Sequence, residues 1–317
     1  MSATDFPSTL TGEPILALAP PGTCQFTTEF TSVPLLKRWE ISSTSFVLRF
    51  GLPDGAKPLN LSTCACILAK HVLPDREGKL EGVIRPYTPI STNSQIGSFD
   101  LLIKNYGENG RMSTNLGSLK EGAEVSFKHI DFNIKIQAPF PCKKLCMLVG
   151  GTGITPMVQA LHAVLGDPAS DIEVTMLYGS RDSKEILGQD LLDSWSKQSD
   201  RLSVTHILSH EPEDSEWGGA LGHISKEVIE KHLPPPEDKE SIIFICGPPP
   251  MYNALCGSRD EKEVSGLLKE MGILGRTSLQ VLSRSTSYKR IIHCRPPIHK
   301  ATMHCADLVT KRSYLDF

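Results

Sequence analysis

Arg85, Tyr87 and Thr88 stand close together in the string Arg85-Pro86-Tyr87-Thr88-Pro89-Ile90-Ser91. On an extended chain Arg85 and Tyr87 alternate to one side, offering a guanidinium and an aromatic ring to a ligand with a phosphate and a flat ring system. Thr88 can hydrogen-bond ring heteroatoms, while Pro86 and Pro89 stiffen the segment. An edge strand with a surface arginine and a packed tyrosine would use the same residues. A second candidate follows at Gly110-Arg111-Met112-Ser113. There a glycine permits close backbone approach, and Ser113 with neighbouring amides could receive a phosphate at a helix start. A plain hairpin turn would read alike.

Two further strings point to a dinucleotide. Gly150-Gly151-Thr152-Gly153-Ile154-Thr155-Pro156-Met157 lies between an apolar run and a helical pattern, so its amides and a helix N-terminus would face an anion. Its order is Gly-x-Gly-x-x-Pro, which departs from the usual Rossmann fingerprint. Cys246-Gly247-Pro248-Pro249-Pro250-Met251 ends another apolar run. No histidine is placed in sequence to activate Cys246, so nucleophilic catalysis is disfavoured. A small, soft thiol against a nicotinamide ring suits the position, and a buried filler cysteine is the plainer alternative.

These strings need two kinds of support. Residues 35–128 are strand-like, with runs at 45–50, 64–69 and 98–104 separated by Pro53-Asp54-Gly55 and by Gly107-Glu108-Asn109-Gly110. This pattern predicts an antiparallel β-barrel, interrupted by a helix over 113–119. After Pro139 and Pro141 the pattern alternates. Strands are expected at 145–149, 172–178, 202–208 and 241–246, and helices at 156–165, 183–196, 225–232, 250–255 and 263–271. Such alternation predicts a Rossmann-like α/β domain whose parallel sheet binds ligands at its carboxyl edge. Pro156 is expected at the first helical position.

The bulk properties agree with two soluble domains. The chain has 317 residues, 39% hydrophobic and 22% charged, an ordinary globular balance with room for two cores. A formal charge of −3 with no basic run argues against nucleic acid as a partner. Nine scattered cysteines without a secretory signal point to free thiols in a reducing compartment. The apolar stretch 14–19 is far too short for a bilayer, no run reaches eighteen apolar residues, and Ser2 is not the glycine of myristoylation. A cytoplasmic chain is expected, with attachment to a mitochondrial or endoplasmic-reticulum membrane left to other elements.

The ordered strings resemble the ferredoxin-NADP reductase superfamily, and within it the NADH-cytochrome b5 reductase family, over about residues 33–282. The resemblance implies a barrel that binds FAD (33–141) and an α/β domain that binds NAD(P)H (142–282), after a loose leader (1–32). It implies FAD contacts at Arg85, Pro86, Tyr87, Thr88 and Thr155, with Gly110, Met112 and Ser113 on the pyrophosphate turn. Lys104 and Tyr106 would lie near the flavin or nicotinamide, and Gly151, Thr152, Cys246 and Pro248 would serve the pyridine nucleotide. Cys246 and Lys104 become the candidate catalytic residues. The implied reaction passes a hydride from NADH to FAD, then single electrons to cytochrome b5 or a similar haem protein. A quinone, a ferric chelate or an oxygenase partner is the alternative acceptor, and a catalytically silent nucleotide-binding module the alternative role.

Four departures from that family stand out. Ser209 occupies the place where NADH-specific members carry an acid, so NADPH is admissible beside NADH. His129-Ile130 replaces a usual Gly-Pro. No histidine around 59–62 matches the family's proton-relay candidate. Residues 275–282 lack the terminal aromatic ring, and 283–317 read as an appendage. Its His293, Cys294, His299, His304 and Cys305 follow no standard metal-ligand spacing, so no metal is expected.

Overall fold

The computed structural model describes residues 6–75, 77–107, 110–130, 137–258, 264–273 and 278–281. Its first sheet contains β1 (Thr31–Ser42), β2 (Ser45–Gly51), β3 (Ile67–Pro74), β4 (Leu80–Tyr87), β5 (Ser98–Lys104) and β6 (Glu124–Lys128). They pair antiparallel in the order β4-β3-β6-β1-β2-β5. The sheet coils around a phenylalanine centre: Phe99 meets Phe127 edge to face at 5.1 Å, and Phe50 meets Phe127 at 5.0 Å. No ladder joins β4 to β5 among the described residues. Helix α1 (Arg111–Ser118) packs against both strands and puts Met112 and Leu116 into the barrel core.

Two boundaries differ from the expected ones. The strand expected from 64 begins only at Ile67, because Cys64 takes a left-handed φ of 60° that an extended strand cannot contain. The helix expected from 113 begins at Arg111, after Gly110.

The second sheet holds β7 (Lys144–Gly150), β8 (Glu173–Ser180), β9 (Leu202–Leu208), β10 (Ala220–Leu221), β11 (Ser241–Cys246) and β12 (Ser278–Val281). All its ladders are parallel, in the order β10-β9-β8-β7-β11-β12. Alternation along β7 serves two cores, with Leu145, Met147 and Val149 on one face and Cys146 and Leu148 on the other. Helices α2 (Ile154–Leu165), α3 (Gln189–Gln198), α4 (Lys226–His232), α5 (Pro249–Leu255) and α6 (Gly266–Glu270) complete the domain. The chain moves outward from β7 through β8 and β9, then returns to β11 on the other side. The crevice between β7 and β11 is therefore the switch point where such sheets bind ligands.

Helix α2 starts at Ile154, two residues before the expected proline, following a 3-10 turn over Gly151–Gly153. Pro156 still falls in the first turn, where its missing N–H costs no helical bond. The helix expected over 183–196 is split. Ile186 and Leu187 are buried in the core, and Gly188 at φ 71° breaks the chain before α3.

The expectation of a loose leader is corrected over residues 6–30. Leu10 is 2% exposed in the α/β core, and Phe26 is 2% exposed in the barrel core. Lack of periodicity does not mean lack of packing when side chains elsewhere satisfy the segment's backbone. The appendage 283–317 lies outside the described residues.

Candidate active site

In β4 the side shared by Arg85 and Tyr87 divides between solvent and core. Tyr87 is 7% exposed and packs in the barrel cluster. Arg85 is exposed, donates to the Ile84 carbonyl at 2.7 Å, and forms no ion pair among the described residues. A guanidinium without a carboxylate partner suits a ligand phosphate. Pro86 and Thr88 are half-buried beside it. The string beyond is fixed from two sides. Gln159 of α2 donates to the carbonyls of Pro89 (2.9 Å) and Ser91 (2.6 Å). From β5, Asp100 accepts from the Ile90 amide at 2.9 Å and donates its own amide to Ser91 Oγ at 2.9 Å. Gln159 is a residue that sequence reasoning missed; it carries no motif, and only the docking of α2 reveals it.

At the start of α1, a side chain on Gly110 would collide with Ser113 Oγ and Tyr106. The first intrahelical bond runs from the Thr114 amide to the Gly110 carbonyl at 2.7 Å, so the amides of residues 111–113 open outward from the helix. Ser113 is 8% exposed and donates to the Gly110 carbonyl at 3.0 Å. Met112 lies in the barrel core, so its side chain is spent on packing.

The glycines of the dinucleotide turn divide into two roles. Cβ atoms on Gly150 and Gly247 would strike Met251 Sδ, and one on Gly153 would strike the Cys246 carbonyl. These three let the turn after β7 interlock with the turn after β11. Gly151 alone faces open space, at φ 50°. The Ile154 amide turns back to the carbonyls of Gly151 and Thr152 at the mouth of α2. Tyr178, which the sequence reading also missed, donates to the Gly151 carbonyl at 3.0 Å from beneath; full burial pushes its phenol up. Thr155 is 5% exposed and donates to the Thr152 carbonyl at 3.2 Å, stabilising the turn. Cys246 is 5% exposed and lies opposite Val149 at the end of β11, with exposed Pro248 beyond it.

Two polar pairs join the barrel to the α/β domain. Lys104 Nζ lies 2.5 Å from Glu185 Oε2, and the Tyr106 hydroxyl lies 3.3 Å from Thr152 Oγ1. The structure thus gathers Lys104, Tyr106, Gly151 and Thr152 at one cleft, with Glu185 as an unexpected fifth member. On the rim of β8 and β9, Ser209 Oγ lies 3.4 Å from the Ser180 carbonyl. The acid absent at 209 has a neighbour at 211. Glu211 accepts from the Ser183 amide at 2.6 Å and from Ser183 Oγ at 2.8 Å. Desolvation is the largest single influence on the Glu211 carboxyl and raises it, but the hydrogen bonds from Ser183 and Ser215 and the charge of Lys184 together hold it below its usual range.

The replaced Gly-Pro is also accommodated. His129 is buried, with its amide bonded to the Thr27 carbonyl at 2.7 Å, and Ile130 joins Cys66, Leu68 and Phe30 in a small outer cluster. Among the described residues no group of three metal-ligating side chains gathers, and no helix is long and apolar enough to cross a membrane.

Open amides at the start of α1, an arginine without an ion-pair partner among the described residues and a glycine facing free space at the mouth of α2 fit two phosphate-bearing cofactors. An antiparallel barrel joined to a doubly covered parallel sheet, with these groups at the seam, defines a two-domain flavin- and pyridine-nucleotide-dependent oxidoreductase of ferredoxin-reductase-like fold. The sequence matches the oxidoreductase FAD-binding domain family over residues 32–131 and the oxidoreductase NAD-binding domain family over 147–257. It is 37% identical over 249 residues to NADH-cytochrome b5 reductase 2 of Meyerozyma guilliermondii, covering 77% of this chain and 82% of that protein. Its identity to the Saccharomyces cerevisiae protein of the same name is 34%, over 77% of this chain and 80% of that one. Among solved structures, the cytochrome b5 reductase domain of Ulva prolifera nitrate reductase aligns with a TM-score of 0.68 and 25% identity. That alignment spans 81% of this chain and 99% of that domain. The chain belongs to the NADH-cytochrome b5 reductase family.

Proposed function

We propose that this chain takes a hydride from NADH through FAD and delivers single electrons to cytochrome b5 or a similar haem protein. The observation that carries this reading is the cleft itself, where Lys104 and Tyr106 of the barrel meet Glu185 and Thr152 of the α/β domain. When bound, FAD supplies the conversion between two-electron and one-electron transfer. The chain's own residues bind and orient. Arg85 and the amides of 111–113 hold flavin phosphates, with Pro86, Tyr87, Thr88, Gly110, Met112, Ser113 and Thr155 shaping that site. Gly151 and Thr152 hold the dinucleotide pyrophosphate at the mouth of α2. Lys104 and Tyr106 close over it, and Cys246 with Pro248 forms the wall for the nicotinamide. Such positioning converts an encounter into an oriented reaction.

NADH is the favoured coenzyme. The Glu211 carboxylate beside Ser183 keeps a negative charge on the rim near Ser209, and that charge opposes a 2′-phosphate. The division into 33–141 and 142–282 is supported by the change from antiparallel to parallel pairing between β6 and β7, although β1 begins two residues earlier, at Thr31. Seven free thiols among the described residues support a reducing, cytoplasmic location.

The test begins with the absorption spectrum of the purified protein, followed by anaerobic titration with NADH and then NADPH. A flavin spectrum bleached by NADH, with electrons recovered on added cytochrome b5, is expected. A colourless protein, or flavin that neither nucleotide bleaches, would overturn the reading. NADH should exceed NADPH at least tenfold in kcat/KM, and equality would remove the role given to Glu211.

A further inference from the structure

The segment ahead of β1 crosses the seam between the domains and binds both. Its two ends hold the barrel: Thr9 Oγ1 donates to Asp100 Oδ2 at 3.0 Å, and the Ala17 carbonyl accepts from Asn93 Nδ2 at 3.0 Å. Its middle holds the α/β domain. Leu10 is buried in the core beside Gly188, ahead of α3. Trp195 Nε1 of α3 donates to the Gly12 carbonyl at 2.9 Å, and the Ile15 amide donates to His162 Nδ1 of α2 at 3.0 Å. The segment passes so near the end of α2 that a Cβ on Gly166 would stand 2.5 Å from the Leu16 nitrogen.

The barrel anchor is tied to the flavin string. Asp100 is fully buried and receives Arg49 through two 2.7 Å bonds and Gln95 at 3.0 Å. Its backbone fixes Ile90 and Ser91, while Gln159 of α2 grips the carbonyls of Pro89 and Ser91. The same strap therefore holds β5, whose Asp100 backbone fixes the end of the flavin string, and α2, which carries Thr155 in its first turn and follows the turn that carries Thr152.

We propose that residues 9–17 are an interdomain strap that sets the alignment of the nicotinamide with the flavin, with Thr9 and Trp195 as positioning residues. The proposal rests on the cleft reading given above. A staple with both ends on one body and its middle on the other restrains sliding as well as separation. Hydride transfer is sensitive to small errors of placement, so loosening the strap should reach the reaction before it reaches binding.

Thr9→Val removes one donor and keeps the side chain's bulk, and Trp195→Phe removes one donor and keeps an aromatic ring of smaller volume. Anaerobic stopped-flow reduction of the full-length flavoprotein by NADH gives the hydride rate and the nucleotide Kd separately. Each variant is expected to slow flavin reduction about threefold, and the double variant about tenfold, with Kd changed less than twofold. Long-wavelength absorbance from the paired reduced flavin and NAD+ should weaken in parallel, and Thr9→Ser should restore both. Unchanged reduction rates, whether or not the thermal midpoint drops, would sink the proposal while leaving the cleft reading intact. Failure of NADH to bleach the unaltered protein would overturn the cleft reading and this proposal with it.

Discussion

Lys104 shows how a residue legible in sequence acquires its meaning from one that was not. The strand ending at Lys104 and the tyrosine two positions later marked the cleft, but nothing marked Glu185. Its 2.5 Å contact with Lys104 depends on Ile186 and Leu187 being sunk in the core, which fixes the preceding turn. A nucleotide phosphate reaching Lys104 must compete with that carboxylate. Glu185→Gln should lower the KM for NADH about two- to fivefold with little change in kcat, the range of a partly exposed ion pair near 1 kcal/mol. Lys104→Ala should raise KM at least about tenfold, as loss of a charge-assisted bond requires. Steady-state kinetics at low ionic strength checks both, and a higher KM in Glu185→Gln would contradict this competition. The glycines were similarly half legible. Their cluster announced a tight turn, but whether each faced ligand or protein depended on Met251 and Cys246, far along the chain.

At the scale of elements, alternation of strand and helix was readable because both faces of β7 and β11 are covered and therefore apolar throughout. Ends were harder to read. Cys64 and Gly188 stop their elements through left-handed backbone, and only the glycine advertises that capacity. The strap was invisible, since its bonds come from side chains on α2, α3 and β5 rather than from any repeat of its own. One of these partners gives α2 a pH signature. Burial holds His162 down to about 4, below its ordinary 6.5, and as an acceptor from Ile15 it must be neutral. Between about pH 6.5 and 4 the unfolded chain takes up a proton that the folded chain refuses, so stability falls as pH drops through this window. The loss approaches roughly 3 kcal/mol near the lower limit and then levels off. Denaturant midpoints between pH 7 and 4.5 should therefore fall more steeply in the unaltered protein than in His162→Gln. Parallel slopes would remove His162 as the cause.

The whole molecule has two sheets but not two insulated cores. Val47, Cys64, Ile90 and Leu102 of the barrel share one buried cluster with Met157, Val158 and Leu161 of α2. Two family domains in tandem suggested separable units, and the sequence held no sign that their apolar surfaces are continuous. Differential scanning calorimetry should accordingly give a single transition, with flavin release and loss of α/β structure at the same temperature. Two resolved transitions would show the cores to be independent. That continuity also limits how the protein can breathe. Parting the domains would wet Val47, Ile90 and Leu102, each worth about 1.5–3 kcal/mol when buried, so the open form would be populated in fewer than about one molecule in a thousand. The coenzyme must then come and go past a gate of side chains set in a closed frame.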